Sequence, residues 1–326
     1  SGSITGMAPL YQKTRPLPIR ARHRLRRRPP TRYNIARRPQ VDAKGWQVQK
    51  TAGRLPLLSV EVHRFKPWRD AFPYSVPLIR DLERIEFESP VTFLVGENGC
   101  GKSTLIEALA CAANTITVGS EGVGSDPTLV ALRELAKDLR LAWSRRNHRG
   151  FFMRAEDFFG YARRLSTTRN ELERDLDDVK RDYANRSPTA QAYARLAYEG
   201  QLGALKRRYG EGLETRSHGE SFLALFQSRF VPGGLYLLDE PEAPLSPLRQ
   251  LSFLVLLDQM VRQDAQFIIA THSPILMAFP GATILSLDHG RIEEVAYTAL
   301  EHVRITQEFL ADPERYLRHL LAPDDE

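Results

Sequence analysis

The sequence has 326 residues, of which 42% are apolar and 26% charged, so at least one large hydrophobic core can be buried. No apolar run reaches the roughly 20 residues that a membrane-spanning helix needs, so we expect no fused membrane channel. The two cysteines, Cys100 and Cys111, are too few for a disulfide framework and predict a reducing, cytoplasmic location.

The net charge of +6 is concentrated near the N-terminus. Residues 1–41 contain eleven Lys or Arg and no acidic residue, whereas the remainder has 35 basic and 40 acidic side chains. We expect residues 1–6 to be an expression remnant and the Arg/Pro-rich tail, 1–50, to be disordered when alone. The tail is either an arm for nucleic acid or a membrane surface, or it is a solvated tail, a targeting extension or a misassigned start.

Predicted strands and helices alternate through residues 51–326, which is typical of an α/β domain. The predicted strands are 57–62, 84–88, 91–95, 235–238 and 266–270, followed by a β pair of 283–287 with 291–295. We expect a C-terminal helical tail at about 300–326.

A glycine-rich turn follows the predicted strand 91–95 and precedes an apolar helix. Residues 96–103 read Gly-Glu-Asn-Gly-Cys-Gly-Lys-Ser, which matches the phosphate-binding pattern G-x-x-x-x-G-K-[ST]. Its backbone N–H groups and the helix N-terminus are expected to hold the phosphates of ATP. Lys102 should neutralise the β- and γ-phosphates, as a catalytic residue, and Ser103 should ligate Mg²⁺. The predicted nucleotide contacts are Gly96, Glu97, Asn98, Gly99, Cys100, Gly101, Lys102, Ser103 and Thr104.

Residues 128–210 are predicted to be helical. An apolar stripe at helical spacing opens the region, formed by Leu129, Leu132, Leu135, Leu139 and Trp143. A polar break at 185–188 then separates two further helices, which fit an antiparallel hairpin with an arm of roughly 27 Å. The hairpin belongs either to a helical subdomain of about 125–216 that packs on the core, or to a projecting clamp for a protein partner.

Two apolar strands end in polar residues suited to hydrolysis. The first delivers Asp239, placed to hold Mg²⁺, and then Glu240, which should orient or deprotonate the attacking water. The second ends in Thr271-His272-Ser273, and His272 should contact the γ-phosphate and the water. Glu240 and His272 are therefore predicted catalytic residues.

The order of these motifs across residues 57–295 resembles that of ABC (ATP-binding cassette) ATPases in the AAA/ABC group. Asp239-Glu240-Pro241-Glu242 with Leu245-Ser246-Pro247 is more similar to RecF, SMC and defence-associated ATPases than to transporters. A family of small bacterial stand-alone predicted ATPases is more similar still, at three places. These are 72–77, Arg154-Ala155-Glu156, and Glu301-His302 through Tyr316-Leu317.

The resemblance implies a P-loop NTPase fold of ABC type, with a mixed sheet core and a helical insertion. It also implies an ATP-dependent homodimer. Ser217-His218-Gly219-Glu220 then corresponds to the ABC signature, in which Ser217, Gly219 and Glu220 contact the ATP of the other subunit. The same residues also fit a capping box, Ser at the N-cap with Glu three residues later, and both interpretations can hold.

Three features depart from the family pattern. Ser246 stands where the D-loop usually has Asp. No glutamine marks the Q-loop, and Glu156 is the predicted substitute as a second Mg²⁺-side contact. Phe72 and Tyr74 are candidates for stacking on adenine, although packing in the core explains them equally well.

Three functions remain open on the sequence alone. The preferred one is an ATPase whose ATP-driven dimerisation switches a process that involves nucleic acid or defence. The alternatives are an ATPase subunit that energises a separate membrane transporter, and a non-hydrolysing, ATP-gated scaffold for a partner protein.

Overall fold

The computed structural model describes residues 55–63, 70–118, 122–146, 148–209 and 218–321. The predicted tail, 1–50, and Ser217 lie outside the described residues. The strands are β1 Leu57–Val62, β2 Arg84–Glu86, β3 Val91–Val95, β4 Leu139–Trp143, β5 Gly150–Arg154, β6 Leu235–Asp239, β7 Gln266–Ala270, β8 Thr283–Ser286 and β9 Glu293–Glu294. The helices are α1 Pro77–Asp81, α2 Lys102–Ala113, α3 Val130–Lys137, α4 Ala155–Asp182, α5 Pro188–Tyr209, α6 His218–Arg229, α7 Pro247–Val261, α8 Pro274–Met277, α9 Glu301–Ala311 and α10 Pro313–Leu320.

A six-stranded sheet forms the centre of the fold, in the order β5-β6-β7-β3-β8-β9. All of its pairs are parallel except β8 with β9, so the sheet is mixed. Every residue of β3, β6 and β7 is buried, as expected for parallel strands that are covered on both faces. The predicted α/β fold with a mixed sheet is confirmed.

The two faces of the sheet are covered differently. One face packs against α6 and α7 through a cluster of aromatic rings that includes Phe151, Phe226 and Tyr236. The other face packs against α2 and α3 through aliphatic side chains such as Leu105, Leu109 and Leu132. A second, antiparallel sheet of order β2-β1-β4 lies beside this aliphatic layer.

The predicted apolar helix through Trp143 is wrong in its second half. Helix α3 ends at Lys137, and Leu139–Trp143 is strand β4, which pairs with β1. Residues 139–143 alternate in exposure, with Arg140 and Ala142 exposed, and this is the period of two of a strand. A spacing of four residues fits both the period of a helix, 3.6, and that of a strand, two. The pair Leu135 and Leu139 therefore did not distinguish a helix from a strand.

The predicted helical hairpin is present as α4 and α5. Helix α4 has 28 residues and is therefore about 42 Å long, compared with the predicted arm of roughly 27 Å. The base of the hairpin contacts the core through half-buried Tyr161 and Leu165 of α4 and Leu205 of α5. None of the residues from 160 to 207 is buried.

No helix in the described part of the chain is both long and apolar enough to cross a membrane.

Candidate nucleotide-binding site

The phosphate-binding loop lies between the buried strand β3 and helix α2. Gly96 and Gly101 have φ angles of 146° and 109°, in the region that favours glycine. A Cβ on Gly101 would lie 2.9 Å from Cγ1 of Val76, and one on Gly96 would lie 2.8 Å from Oδ1 of Asp288. Among the described residues, no side chain caps the N-terminus of α2. Its first N–H groups therefore suit an anionic phosphate.

Lys102 lies against the loop that it belongs to. The side chain is largely buried, with 5% of the residue exposed. Its Nζ donates hydrogen bonds to the carbonyl oxygens of Gly96, at 2.7 Å, and Glu97, at 3.0 Å. The ammonium is thereby held close to the loop, where it can neutralise phosphate oxygens.

Asp288 supports the same loop and was not singled out by the sequence. Its Oδ1 accepts a hydrogen bond from the backbone N–H of Glu97, at 2.8 Å, and its Oδ2 accepts one from Ser286 Oγ, also at 2.8 Å. Ser286 ends strand β8, where it pairs with Val95 at the end of β3. The only sequence signal was a polar residue after a strand.

Asp239 ends strand β6 with 7% of its surface exposed. Burial raises the pKa of its carboxyl to about 7, although a hydrogen bond from Ser103 and the charge of Lys102 act in the opposite direction. Its Oδ1 is buried and has no hydrogen-bond partner among the described residues. An orphaned carboxylate oxygen beside a serine hydroxyl fits Mg²⁺, which prefers oxygen ligands.

The described residues contain no group of three or more His, Cys, Asp or Glu side chains that could hold a metal ion. This is compatible with Mg²⁺, which usually keeps waters and substrate phosphates as ligands beside one or two protein groups.

Glu240 and His272 face each other beyond Asp239. Glu240 has a left-handed backbone, φ 49°, and its N–H donates to the carbonyl of Ala270 at 2.9 Å. His272 Nε2 lies 3.8 Å from Glu240 Oε1. Burial lowers the pKa of His272, and the charge of Lys102 lowers it further, so the imidazole is neutral near pH 7. Its Nε2 is buried and unpartnered in the described part of the molecule.

Glu242 fixes the position of His272. Its Oε1 accepts a hydrogen bond from the backbone N–H of His272 at 2.7 Å. Burial raises the pKa of this carboxyl, partly offset by that bond. The sequence marked Glu242 only as part of the family pattern, because its contact with His272 depends on the neighbouring strands β6 and β7.

The remaining predicted contacts lie elsewhere or are only partly described. At the start of α6, the Glu220 carboxylate accepts a hydrogen bond from Arg249 of α7, and a Cβ on Gly219 would lie 3.3 Å from Cγ of Arg249. The Glu156 side chain is 76% exposed and lies 3.5 Å from Arg154. The signature and Glu156 assignments therefore stay predictions. Tyr74 donates to Asp138 at 2.7 Å and packs on the core, whereas Phe72 is exposed and remains a candidate for adenine.

Two segments of the chain match known protein families. Residues 59–123, which include the phosphate-binding loop, match the family described as AAA domain. Residues 221–278, which include Asp239, Glu240 and His272, match the family described as AAA domain, putative AbiEii toxin, Type IV TA system. The chain is similar to the ABC-type ATPases. The predicted resemblance is confirmed.

Individual proteins and solved structures are similar to this chain over different lengths. The DNA repair protein RAD50 of Drosophila melanogaster is 40% identical over 65 residues, which are 19% of this chain and 5% of RAD50. The cobalt import ATP-binding protein CbiO of Salmonella typhimurium is 26% identical over 246 residues, which are 72% of this chain and 83% of CbiO. A crystal structure of the Smc head domain from Pyrococcus furiosus is 11% identical, covers 78% of this chain and 99% of that one, and has a TM-score of 0.39.

Proposed function

We propose that the chain binds and hydrolyses ATP and that two copies close around two ATP molecules. The observation that carries this proposal is the convergence of four groups at the carboxyl ends of parallel strands: Lys102, Asp239, Glu240 and His272. Two of them have buried polar atoms without a partner among the described residues, Asp239 Oδ1 and His272 Nε2. Buried polar atoms are normally paired, so these atoms are suited to contacts with nucleotide, Mg²⁺ and water.

Each group has a separate role in the proposed hydrolysis. The ammonium of Lys102 and the N–H groups of the loop bind the phosphates. Ser103 and Asp239 would hold Mg²⁺, which supplies positive charge for the developing negative charge on the phosphoryl oxygens. Glu240 accepts the proton of the attacking water, and the neutral His272 donates a hydrogen bond to the γ-phosphate. Glu242 keeps His272 in place.

The proposed dimer uses the start of α6. The N-terminus of a helix attracts phosphate. In the dimer, the signature residues Ser217, Gly219 and Glu220 would contact the γ-phosphate of the ATP that the second copy binds. Glu156 is retained as a second contact on the Mg²⁺ side.

The proposed role of the cycle is to switch a nucleic-acid-related or defence-related process in the cytoplasm. The similarity to a DNA repair protein supports the first and the toxin-related family description supports the second. The eleven basic residues of 1–41 also suit a phosphate backbone. ATP turnover should then rise when DNA or RNA is added, and this stimulation should weaken as salt is raised. Unchanged turnover would contradict the nucleic-acid role.

The Glu240→Gln variant tests the dimer. Glutamine keeps the size of the side chain but cannot accept the proton, so hydrolysis should slow at least a hundredfold and the ATP-bound dimer should accumulate. Size-exclusion chromatography with ATP and Mg²⁺ should give a dimer, and the same protein with ADP should give a monomer. Glu173→Gln, at an exposed position on α4, is the matched control. A Glu240→Gln protein that binds ATP but stays monomeric would refute the sandwich mechanism.

The second candidate is an ATPase subunit of a membrane transporter, favoured by the match over 83% of CbiO. Under this alternative the chain co-purifies from membranes with an integral membrane protein, and that protein stimulates ATP turnover. Under the preferred proposal it does not.

A further inference from the structure

His302 lies in the first turn of α9, in a segment that no role described so far uses. Its neighbours Leu300 and Val303 are buried in the same core cluster as Leu276 and Met277. Tyr297 donates a hydrogen bond from its hydroxyl to the carbonyl of Pro274, at 3.0 Å. Both anchors attach the start of α9 to α8, which begins two residues after His272.

The imidazole of His302 has an unsatisfied nitrogen. Its Nε2 is buried without a hydrogen-bond partner among the described residues, like Nε2 of His272. Buried polar atoms without a partner are rare in folded proteins, and those that occur call for a ligand, an ion or a water molecule. Helix α8 joins the segments of His272 and His302, and a single partner that reached both atoms would satisfy them.

Two of the charged groups that act on His302, Asp288 and Lys102, hydrogen-bond to the phosphate-binding loop. Burial lowers the pKa of His302 first, the Asp288 carboxylate opposes this, and the Lys102 ammonium lowers it further. His302 in turn lowers the pKa of His272. His302 is therefore within electrostatic range of Lys102, Asp288 and His272. A neutral imidazole carries one N–H, which can be donated.

We propose that His302 donates a hydrogen bond from Nε2 to an oxygen of the γ-phosphate of ATP, as a second histidine beside His272. This inference rests on the proposed function and adds the C-terminal segment to the nucleotide site. Helix α9 then contacts the one phosphate group that distinguishes ATP from ADP. The alternative occupant between the two imidazoles is a water molecule, and it would serve ATP and ADP alike.

The test compares the affinities of the full-length chain for fluorescent ATP and ADP analogues, with His302→Ala and with His302→Gln, whose amide can still donate. We expect His302→Ala to weaken ATP binding about tenfold, as loss of a hydrogen bond to a charged group does, and to leave ADP binding unchanged. His302→Gln should recover part of the ATP affinity. The exposed His148→Ala is the matched control and should change neither.

Equal weakening for ATP and ADP, or no change for either, would overturn the inference. A second readout does not depend on a substitution. In NMR spectra of the chain with labelled histidines, ATPγS should shift the His302 ring nitrogens while ADP does not, and identical shifts with both would also overturn it. If the unaltered chain binds neither nucleotide, the proposed function fails, which is a separate outcome.

Discussion

The two thiols of the chain lie at opposite ends of the P-loop helix α2. Cys100 belongs to the phosphate-binding loop, and its Sγ is 3.8 Å from Nζ of Lys102. Cys111 lies in the last turn of α2, against the aliphatic layer. Burial raises the pKa of the Cys111 thiol to about 11. The thiolate is the nucleophile, so Cys111 should react slowly at neutral pH.

Alkylation by N-ethylmaleimide should separate these thiols. ATP with Mg²⁺ should protect Cys100, because the phosphates would fill the loop, and should leave Cys111 unaffected. The rate at Cys111 should rise about tenfold for each pH unit between pH 7.5 and 9.5, because the thiolate fraction grows with pH below the raised pKa. Peptide mass spectrometry measures both rates. Equal protection of the two cysteines would mean that ATP acts on the whole fold and not on the loop.

The residues of the phosphate-binding loop could be predicted from the sequence, whereas residues whose partners are far away in the sequence could not. The glycines, Lys102 and Ser103 are contiguous, so their pattern alone predicts a phosphate site. Asp288 bonds to Glu97 across 191 residues of sequence, and His302 belongs to α9, near the end of the chain. Only the pairing of β3 with β8 brings Asp288 to the loop, and only the packing of α9 on α8 fixes the position of His302.

At the scale of elements, Arg154 joins three parts of the fold. It ends β5 opposite Asp239, and its largely buried guanidinium contacts Glu107 of α2 at 3.1 Å, Asp126 at 3.0 Å and Asp157 of α4 at 2.8 Å. The P-loop helix and the long arm are therefore connected through one side chain. Burial raises the pKa of Glu107, an effect that Arg154 partly offsets.

Replacement of Arg154 by Met should destabilise the chain strongly. The apolar side chain has a similar length, but it leaves three buried carboxylates without their cation, which costs about 3–5 kcal/mol. Arg169→Met, which removes an exposed pair with Glu173 on α4, should cost less than about 1 kcal/mol. Urea unfolding without nucleotide gives both values. If Arg154→Met lowers the free energy of unfolding by less than the control does, the carboxylates reorganise around the missing cation.

The elements were predicted correctly where the length of an apolar run and the spacing of its apolar residues indicated the same structure, and incorrectly where they did not. Strands β3, β6 and β7 are continuous apolar runs that end in polar residues, and all three were predicted. Strand β4 was predicted as helix because five residues are too few to separate the two periods. Its pairing with β1 is a tertiary interaction that no local pattern contains.

At the scale of the whole molecule, the hairpin lies in the sequence between the two segments that contribute residues to the nucleotide site. The family matches cover 59–123 and 221–278, and α4 and α5 lie between them. The outer part of the hairpin contributes no buried residue, and exposed pairs such as Lys180 with Asp177 add little stability. Its sequence is therefore not constrained by the core, which suits contact with a partner.

Removal of the outer hairpin should leave the nucleotide site intact. We would replace residues 168–202 by a six-residue Gly/Ser linker, which can span the roughly 10 Å between packed antiparallel helices. The base contacts of Tyr161, Leu165 and Leu205 remain. The affinity for ATP should change by no more than about twofold, since surface changes away from a site cost about 0.5 kcal/mol. Stimulation of ATP turnover by nucleic acid or a protein partner should be lost.

In the control, the same linker is placed at residues 184–187 and the hairpin keeps its full length. This variant tests the effect of the linker without shortening the arm. This variant should retain stimulation if the sides of the arm bind the partner, and lose it if the tip does. Loss of ATP affinity in the shortened chain, with an unchanged melting temperature, would contradict a separate arm. It would instead mean that the hairpin positions Arg154 and, through Glu107, the P-loop helix.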